Sequence, residues 1–333
     1  MGNTKMAEAG VLLILMVLLL LFMGLMLIVV CLRNRRDQKE RERVEKELIS
    51  AKTAGEIFER VIPGEFLKLL KVKDYSGLTV GAQEYFSAVI LDVNRADFSD
   101  TIHDRKTEDV FASINGMLGQ AIPIIRGQGG LIDSFERGGI SAFFKDRCAQ
   151  ALTAAVSLCE AVNAGGKEEY ASVAAGLTEG SVMIGVVGHE ERINLLLLSE
   201  AKEFAGFLRE VGYRYYARIL VTKELLDSMG EEALRFNSRI LGKIHIRSRN
   251  ASVVVCDVFD GDRVEIRNKK RRTRIVFEKG VELFWEGKLL KARQHFVEVL
   301  KLDTADRAAS FYLLRCDACL NEEETWQEYM ETY

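Results

Sequence analysis

The stretch Glu179-Gly180-Ser181-Val182-Met183-Ile184-Gly185-Val186-Val187-Gly188-His189-Glu190-Glu191-Arg192 decides the fold. Its apolar centre, Ser181–Val187, is short, β-branched and closed by glycine, which predicts a strand running into a turn with His189 as a turn residue. Another strand is expected just before it, at Ala171–Thr178, and a helix after it, near Ser199–Val211, followed by a strand at Ile219–Val221. Upstream, Ala88-Val89-Ile90-Leu91 reads as a buried strand and Thr107 to Ile125 as an amphipathic helix. Gly129–Phe135 and Ile140–Phe144 read as a hairpin around Arg137-Gly138-Gly139, and a helix runs from about Arg147 to Asn163. The order β-α-β-β-α-β is that of a ferredoxin-like α+β core.

The 333 residues are 48% hydrophobic and 29% charged, enough for a sizeable core with appendages. A net charge of -3 supplies no basic field for nucleic acid, so no nucleic-acid partner is expected. The six cysteines form no dense framework and read as buried thiols of a reducing compartment. Cys316-Asp-Ala-Cys319, the one close pair, is at most half of a zinc site.

Ala9 to Leu32 contains no charged residue, and at about 1.5 Å per residue this run exceeds the roughly 30 Å hydrocarbon layer of a bilayer. Arg33, Arg35, Arg36, Lys39, Arg41, Arg43 and Lys46 follow it, against Lys5 before it. The expectation is a single-pass inner-membrane protein: a tail over 1–8, a transmembrane helix over 9–32 that contacts lipid, and everything after it in the cytoplasm. Residues 33–60, with both charge signs at helical spacing and no proline, predict a helical linker, either a coupling element or a solvated spacer.

Several blocks together resemble the class III adenylate/guanylate cyclase domain. The opening stretch is similar to the family's TGPVVVGNVGSEER, and Ile90-Leu91-Asp92-Val93 with Phe98-Ser99 to FADIRGFT. Gly130–Phe135 is similar to GTVDKF, and Arg239–Arg247 with Val253–Phe259 to the closing strands. The lead-in Phe58–Leu67 resembles the stretch before many bacterial membrane-bound cyclase domains. The resemblance covers about 58–260 and implies a cyclase-like domain over 61–262, a homodimer or a heterodimer with another cyclase-like domain, and phosphoryl transfer on Mg²⁺ or Mn²⁺ in active members.

Carried over residue by residue, the resemblance implies a degenerate site. The first metal aspartate matches Asp92. The second falls on Gly138, where DKFIGD is replaced by Asp133-Ser134-Phe135-Glu136-Arg137-Gly138. The purine lysine becomes Ser134, and the second purine reader becomes Glu200. The ribose asparagine becomes Glu203, and the transition-state arginine becomes Phe207. Arg247 replaces the phosphate lysine with like charge. Asp92 is thus the candidate metal residue, Glu200 and Arg247 the candidate nucleotide residues, and no catalytic residue is expected. Glu136, on the strand face of Ser134 and Gly138, is a candidate replacement ligand. One carboxylate is a poor cage for two hard cations, and losing one preorganised donor costs about 10²- to 10³-fold in rate. The expected function is cyclase-type signalling through dimerisation or protein interaction without catalysis and without a cofactor. The alternative is an active divergent cyclase converting ATP or GTP to a cyclic nucleotide and pyrophosphate.

Beyond the core, the basic run Arg267–Arg274 predicts a solvated linker over 263–274, with anionic lipid as an alternative partner. The spacing of Phe277, Gly280, Leu283, Gly287, Ala292, Phe296 and Leu300 resembles one tetratricopeptide repeat. It predicts a helical tail over 275–333, with helices at about 275–286, 289–302 and 305–320. One repeat cannot bury its own faces, so the tail should dock on the domain or on a partner.

Overall fold

The computed structural model describes residues 2–62, 64–95, 106–136, 138–164, 173–189, 191–322 and 325–333, with most side chains before residue 31 excluded. The chain divides into two units, Met1–Lys68 and Leu69–Tyr333. The first is dominated by one helix, α1 (Gly2–Val61), and α2 (Gly64–Leu69) crosses the boundary. Among the described residues no helix is long and apolar enough to cross a membrane. Most side chains of the apolar run 9–32 lie outside that description.

The second unit is a mixed α+β fold. Its strands are β1 (Gln83–Arg95), β2 (Leu131–Ser134), β3 (Ile140–Phe144), β4 (Val173–His189), β5 (Arg192–Leu198), β6 (Ile219–Thr222), β7 (Ser238–Ile246), β8 (Ala251–Val258) and β9 (Glu331–Thr332). They form one sheet of order β2-β3-β1-β4-β6-β8-β7-β9, with β5 paired to β4. The helices are α3 (Thr107–Gly127), α4 (Cys148–Ala164), α5 (Glu200–Arg214), α6 (Lys223–Ser228), α7 (Val264–Trp285), α8 (Leu289–Leu302) and α9 (Arg307–Leu320).

Strand parity divides the packing between two cores. Val89, Leu91 and Val93 of β1 join Ala121 and Ile125 of α3 and Leu152, Ala155 and Leu158 of α4 in the first. The alternate residues of β1, Asp92 among them, therefore face the opposite layer. That layer holds α5 and contributes Leu208 and Val211 to a second core with Leu241, Ile244, Phe277, Phe284, Phe296 and Tyr312. The helices of the tail thus share a core with the sheet.

Two expectations are corrected here. The strands expected at Ala171–Thr178 and Ser181–Val187 are one continuous strand, β4, whose long antiparallel pairing with β1 carries through Glu179 and Gly180. Residues 171 and 172 lie outside the described residues. The same strand continues into a hairpin with β5, a strand the sequence pattern had not suggested. The second correction concerns the basic stretch 263–274, which is not a solvated linker but the first half of α7. Lys270, from the middle of that run, is buried with its ammonium 2.8 Å from both Asp257 and Asp262. Arg239 of β7 reaches Asp257 at 3.2 Å and Asp306, the N-cap of α9, at 2.6 Å. This buried network ties β7, β8, α7 and α9 together, and it is why a charged run can be part of the interior.

The second and third tail helices fall close to the expected 289–302 and 305–320, whereas the first, α7, starts at Val264 and not near 275. Beyond them the chain returns to the sheet, where β9 pairs in parallel with β7.

Candidate functional site

Asp92 sits in the middle of the sheet, opposite Gly176 of β4 and Ser141 of β3. Glycine at 176 lets α5 approach closely: a Cβ there would fall 2.0 Å from the Ala205 carbonyl oxygen. Ser199 starts α5 by accepting a hydrogen bond from the Ala201 amide, which fixes the helix phase. One consequence is that Arg209, three turns into α5, donates from Nε to Asp92 Oδ1 at 2.5 Å. Burial pushes the Asp92 carboxyl above the usual carboxylate range, and the Arg209 guanidinium offsets this only in part.

Beside this pair, Lys202 of α5 reaches the hairpin. Its ammonium lies 2.7 Å from Asp133 Oδ2 and 2.9 Å from Glu136 Oε1, and it donates to Ser134 Oγ at 3.0 Å. Burial alone would depress the Lys202 ammonium, but its hydrogen bonds to Asp133 and Glu136 outweigh that and hold it raised. Gly138 lies at φ +75°, a left-handed conformation that suits glycine at the turn. The metal half expected at Asp92, Gly138 and Glu136 is therefore a charge cluster in which lysine and arginine of the same chain already face the carboxylates. Asp92 is paired to a guanidinium, Gly138 has no side-chain ligand, and Glu136 faces an ammonium, so these side chains do not fit a pair of divalent ions. Among the described residues no group of three or more His, Cys, Asp or Glu side chains could hold a metal ion. The Phe98–Ser99 part of the resemblance lies outside the described residues.

Of the residues expected for the nucleotide half, Glu200 and Glu203 lie in the first turn of α5, flanking Lys202. Glu200 and Glu203 line a cleft of about 830 Å³ together with Glu179, Glu224, Phe204 and Tyr333, and among the described residues no lysine or arginine lines it. Phe207 is part of an aromatic group with Phe204 at 6.2 Å and Tyr333 at 5.0 Å between ring centroids. Tyr333 is delivered by β9: its amide donates to the His245 carbonyl at 2.8 Å, and its carbonyl accepts from the Arg247 amide at 3.0 Å. Burial and the nearby Glu203 and Glu200 push the Tyr333 phenol up. Arg247 is exposed at the end of β7, adjacent to Tyr333 through its backbone, and its side chain does not line the cleft. Glu200 and Glu203 are thus brought together, whereas Asp92 and Arg247 are each placed elsewhere. Sequence reasoning missed Lys202, Arg209 and Tyr333. The first two had a signal, being cations at i and i+7 on the α5 face that also carries Gly206 opposite Asp92.

The six cysteines are free, and Cys159, Cys256 and Cys316 are buried with their thiols pushed up to about 12, chiefly by burial. Such thiols are weak nucleophiles.

No family model matches the chain. It is 24% identical over 269 residues to the terminal-differentiation-specific adenylate cyclase of Dictyostelium discoideum, covering 78% of this chain and 13% of that protein. It is 22% identical over 213 residues to an adenylate cyclase of Anabaena cylindrica, covering 60% of this chain and 42% of the relative. The chain thus spans less than half the length of either curated relative. Among solved structures it is similar to a bacterial light-regulated adenylyl cyclase, with a TM-score of 0.58 at 16% identity over 66% of this chain and 64% of that one. That likeness shows the fold, and the sequence relatives support a domain of the adenylate/guanylate cyclase type.

Proposed function

We propose that this chain is a membrane-anchored, cyclase-type signalling protein that does not turn over nucleotide and acts by pairing with a second cyclase-like domain. The observation that carries the reading is the ion pair between Asp92 and Arg209. The one retained metal carboxylate is neutralised from within the chain, and its expected partner position, Gly138, has no side chain. The acidic cleft around Glu200 and Glu203 supports the same reading, since among the described residues a triphosphate would meet four carboxylates and no lysine or arginine there. Anchoring rests on the uncharged run Ala9–Leu32 and the basic residues after it. The second reading, an active divergent cyclase using Mg²⁺ or Mn²⁺, is consistent with the names of the sequence relatives, which are adenylate cyclases.

Pairing with an intact cyclase would leave each shared site short of groups. This chain brings Asp92 and Gly138 to one site, and Glu203 and Phe207 to the other. One experiment tests both parts. The full chain in detergent is assayed with ATP and with GTP, in Mg²⁺ and in Mn²⁺, alone and then titrated into an active cyclase domain with binding followed separately. The expected result is no product above an Asp92→Ala control and a fall in the partner's turnover on binding. Product above that control overturns the non-catalytic reading, and a rise in partner turnover overturns the brake.

A further inference from the structure

A second cavity, of about 450 Å³, lies where the sheet meets the tail helices, away from Asp92 and from the Glu200 cleft. That volume is within the range of small-molecule sites. One wall is apolar and aromatic, built by Tyr213, Tyr215 and Tyr216 at the end of α5 together with Ala217 and Ile266. The rest is strongly cationic: Arg218, Arg239, Arg263, Lys269, Lys270 and Arg307 all line it. With them are Asp262, Asp303 and Asp306, and Asp257 is paired to Arg239 and Lys270, which leaves a surplus of two positive charges among the described residues.

The partners of each cation show where the surplus resides. Arg239 and Lys270 are held by Asp257, Asp262 and Asp306, and Lys269 lies 3.2 Å from Asp303. Arg218 donates to the Gly261 carbonyl at 3.3 Å. Arg263 and Arg307 have no carboxylate partner among the described residues. Arg307 is instead laid over the Tyr216 ring at 3.9 Å, a contact that orients the planar guanidinium. Arg263 immediately precedes α7 and Arg307 opens α9, so the positive ends of both helix dipoles lie at the same cavity. The Arg263 side chain makes no capping bond to α7.

From this arrangement we infer that the cavity binds a small aromatic phosphomonoester, its anionic head on Arg263 and Arg307 and its ring against the tyrosine wall. The charge count selects this class. A phosphomonoester carries about -1.5 to -2 near pH 7 and presents three acceptor oxygens, which matches the surplus of two. A monocarboxylate of the same shape would leave about one charge unmatched. Guanidinium groups suit such oxygens because they donate in pairs.

The site has a direct route to the rest of the molecule. Tyr213 and Tyr215 end the helix that carries Lys202 and Arg209, while Arg263 and Arg307 begin tail helices. A ligand there would bridge the sheet and the tail.

The test uses calorimetric titration of the full chain in detergent micelles, with phenyl phosphate as the probe and benzoate and inorganic phosphate as comparisons. Phenyl phosphate is expected to bind once per chain, more tightly than either comparison. Arg263→Gln and Arg307→Gln are each expected to weaken it roughly tenfold or more, the usual scale of a lost charge-assisted hydrogen bond. Asp92→Ala should leave binding unchanged, which separates this site from the proposed function. Thermal unfolding of each variant establishes that it is folded. If a variant does not fold, ³¹P line broadening of phenyl phosphate on the native chain, competed by added tyrosine phosphate, serves as the second measurement. Absence of binding, equal affinity for benzoate, equal affinity for inorganic phosphate, or binding indifferent to both arginine substitutions would each overturn the inference.

Discussion

Replacing Lys270 by methionine should be far more damaging than its place in a basic run suggests. Its side chain is 4% exposed, it lies 2.8 Å from both Asp257 and Asp262, and it donates to the Tyr216 carbonyl at 3.0 Å. Methionine keeps most of the volume, so the loss is electrostatic: two carboxylates at 0% and 2% side-chain exposure lose their shared cation, and Asp257 is left with Arg239, which it shares with Asp306. Removing one partner of a buried pair costs about 3–5 kcal/mol. For a unit of this size, at roughly 2–4 °C per kcal/mol, the midpoint should fall by about 10 °C. Lys269→Met supplies the comparison, because that lysine is 47% exposed in its pair with Asp303, and exposed pairs are worth at most about 1 kcal/mol. The pH dependence has a definite sign. Burial raises the Asp262 carboxyl, with Lys270 opposing the rise, so without Lys270 it should titrate higher still. A native carboxyl that titrates above its unfolded counterpart takes up its proton on folding, and the native state gains as pH falls through that window. The Lys270→Met penalty should therefore shrink in acid and be larger at neutral pH. Thermal unfolding of the full chain by circular dichroism across this range measures both effects. A loss under about 1 kcal/mol, or one equal to that of Lys269→Met, would refute the account of the network.

Two further outcomes concern α5 and the strand beneath it. In Arg209→Met the Asp92 carboxyl should titrate higher than in the native chain, since the guanidinium is the main influence opposing burial; ¹³C carboxyl shifts followed by NMR would show it, and a lower value would contradict the ion pair. Gly176→Ala should destabilise by about 1–3 kcal/mol or more, the scale of overpacking, because the new methyl would meet the Ala205 carbonyl oxygen and the Arg209 amide; denaturant unfolding would measure it, and a neutral result would mean that α5 does not pack so closely.

The legibility of the chain followed how local each signal was. The hairpin Leu131–Phe144 and the helix starting after Ser199 were readable because turn glycines and a capping serine act over a few residues. The break expected at Glu179-Gly180 failed for a physical reason. Gly180 reads as punctuation in sequence, yet in the sheet it makes room for α5, since a Cβ there would come 2.6 Å from the Ala201 methyl. The run 263–274 misled in the opposite direction. Seven of its twelve residues are basic, which normally means solvent, but the carboxylates that bury Lys270 lie at Asp257 and Asp262, and Asp306 enters through Arg239 from the far end of two helices. No window in sequence contains that network.

The same distinction governs the site. The substitutions at Gly138, Glu203 and Phe207 were legible as departures from a motif, and on their own they say only that groups are missing. What the fold adds is that the remaining carboxylates have acquired partners of their own: Arg209 for Asp92, and Lys202 for Asp133 and Glu136. A site that has only lost ligands could regain function by restoring one residue. Here Gly138→Asp would place a carboxylate at φ +75° beside charges already matched within the chain, where it would meet backbone strain without an available metal-binding neighbour. At Phe207, where the resemblance implies a transition-state arginine, the ring packs on Phe204 and Tyr333, and Tyr333 is held over the acidic cleft by the pairing of β9 with β7. On the proposed reading, each of these contacts occupies a position that the resemblance assigns to a group for the nucleotide or its metals. That combination is what the proposed non-catalytic reading requires, and restoring one carboxylate at Gly138 should leave the chain without product if the reading holds.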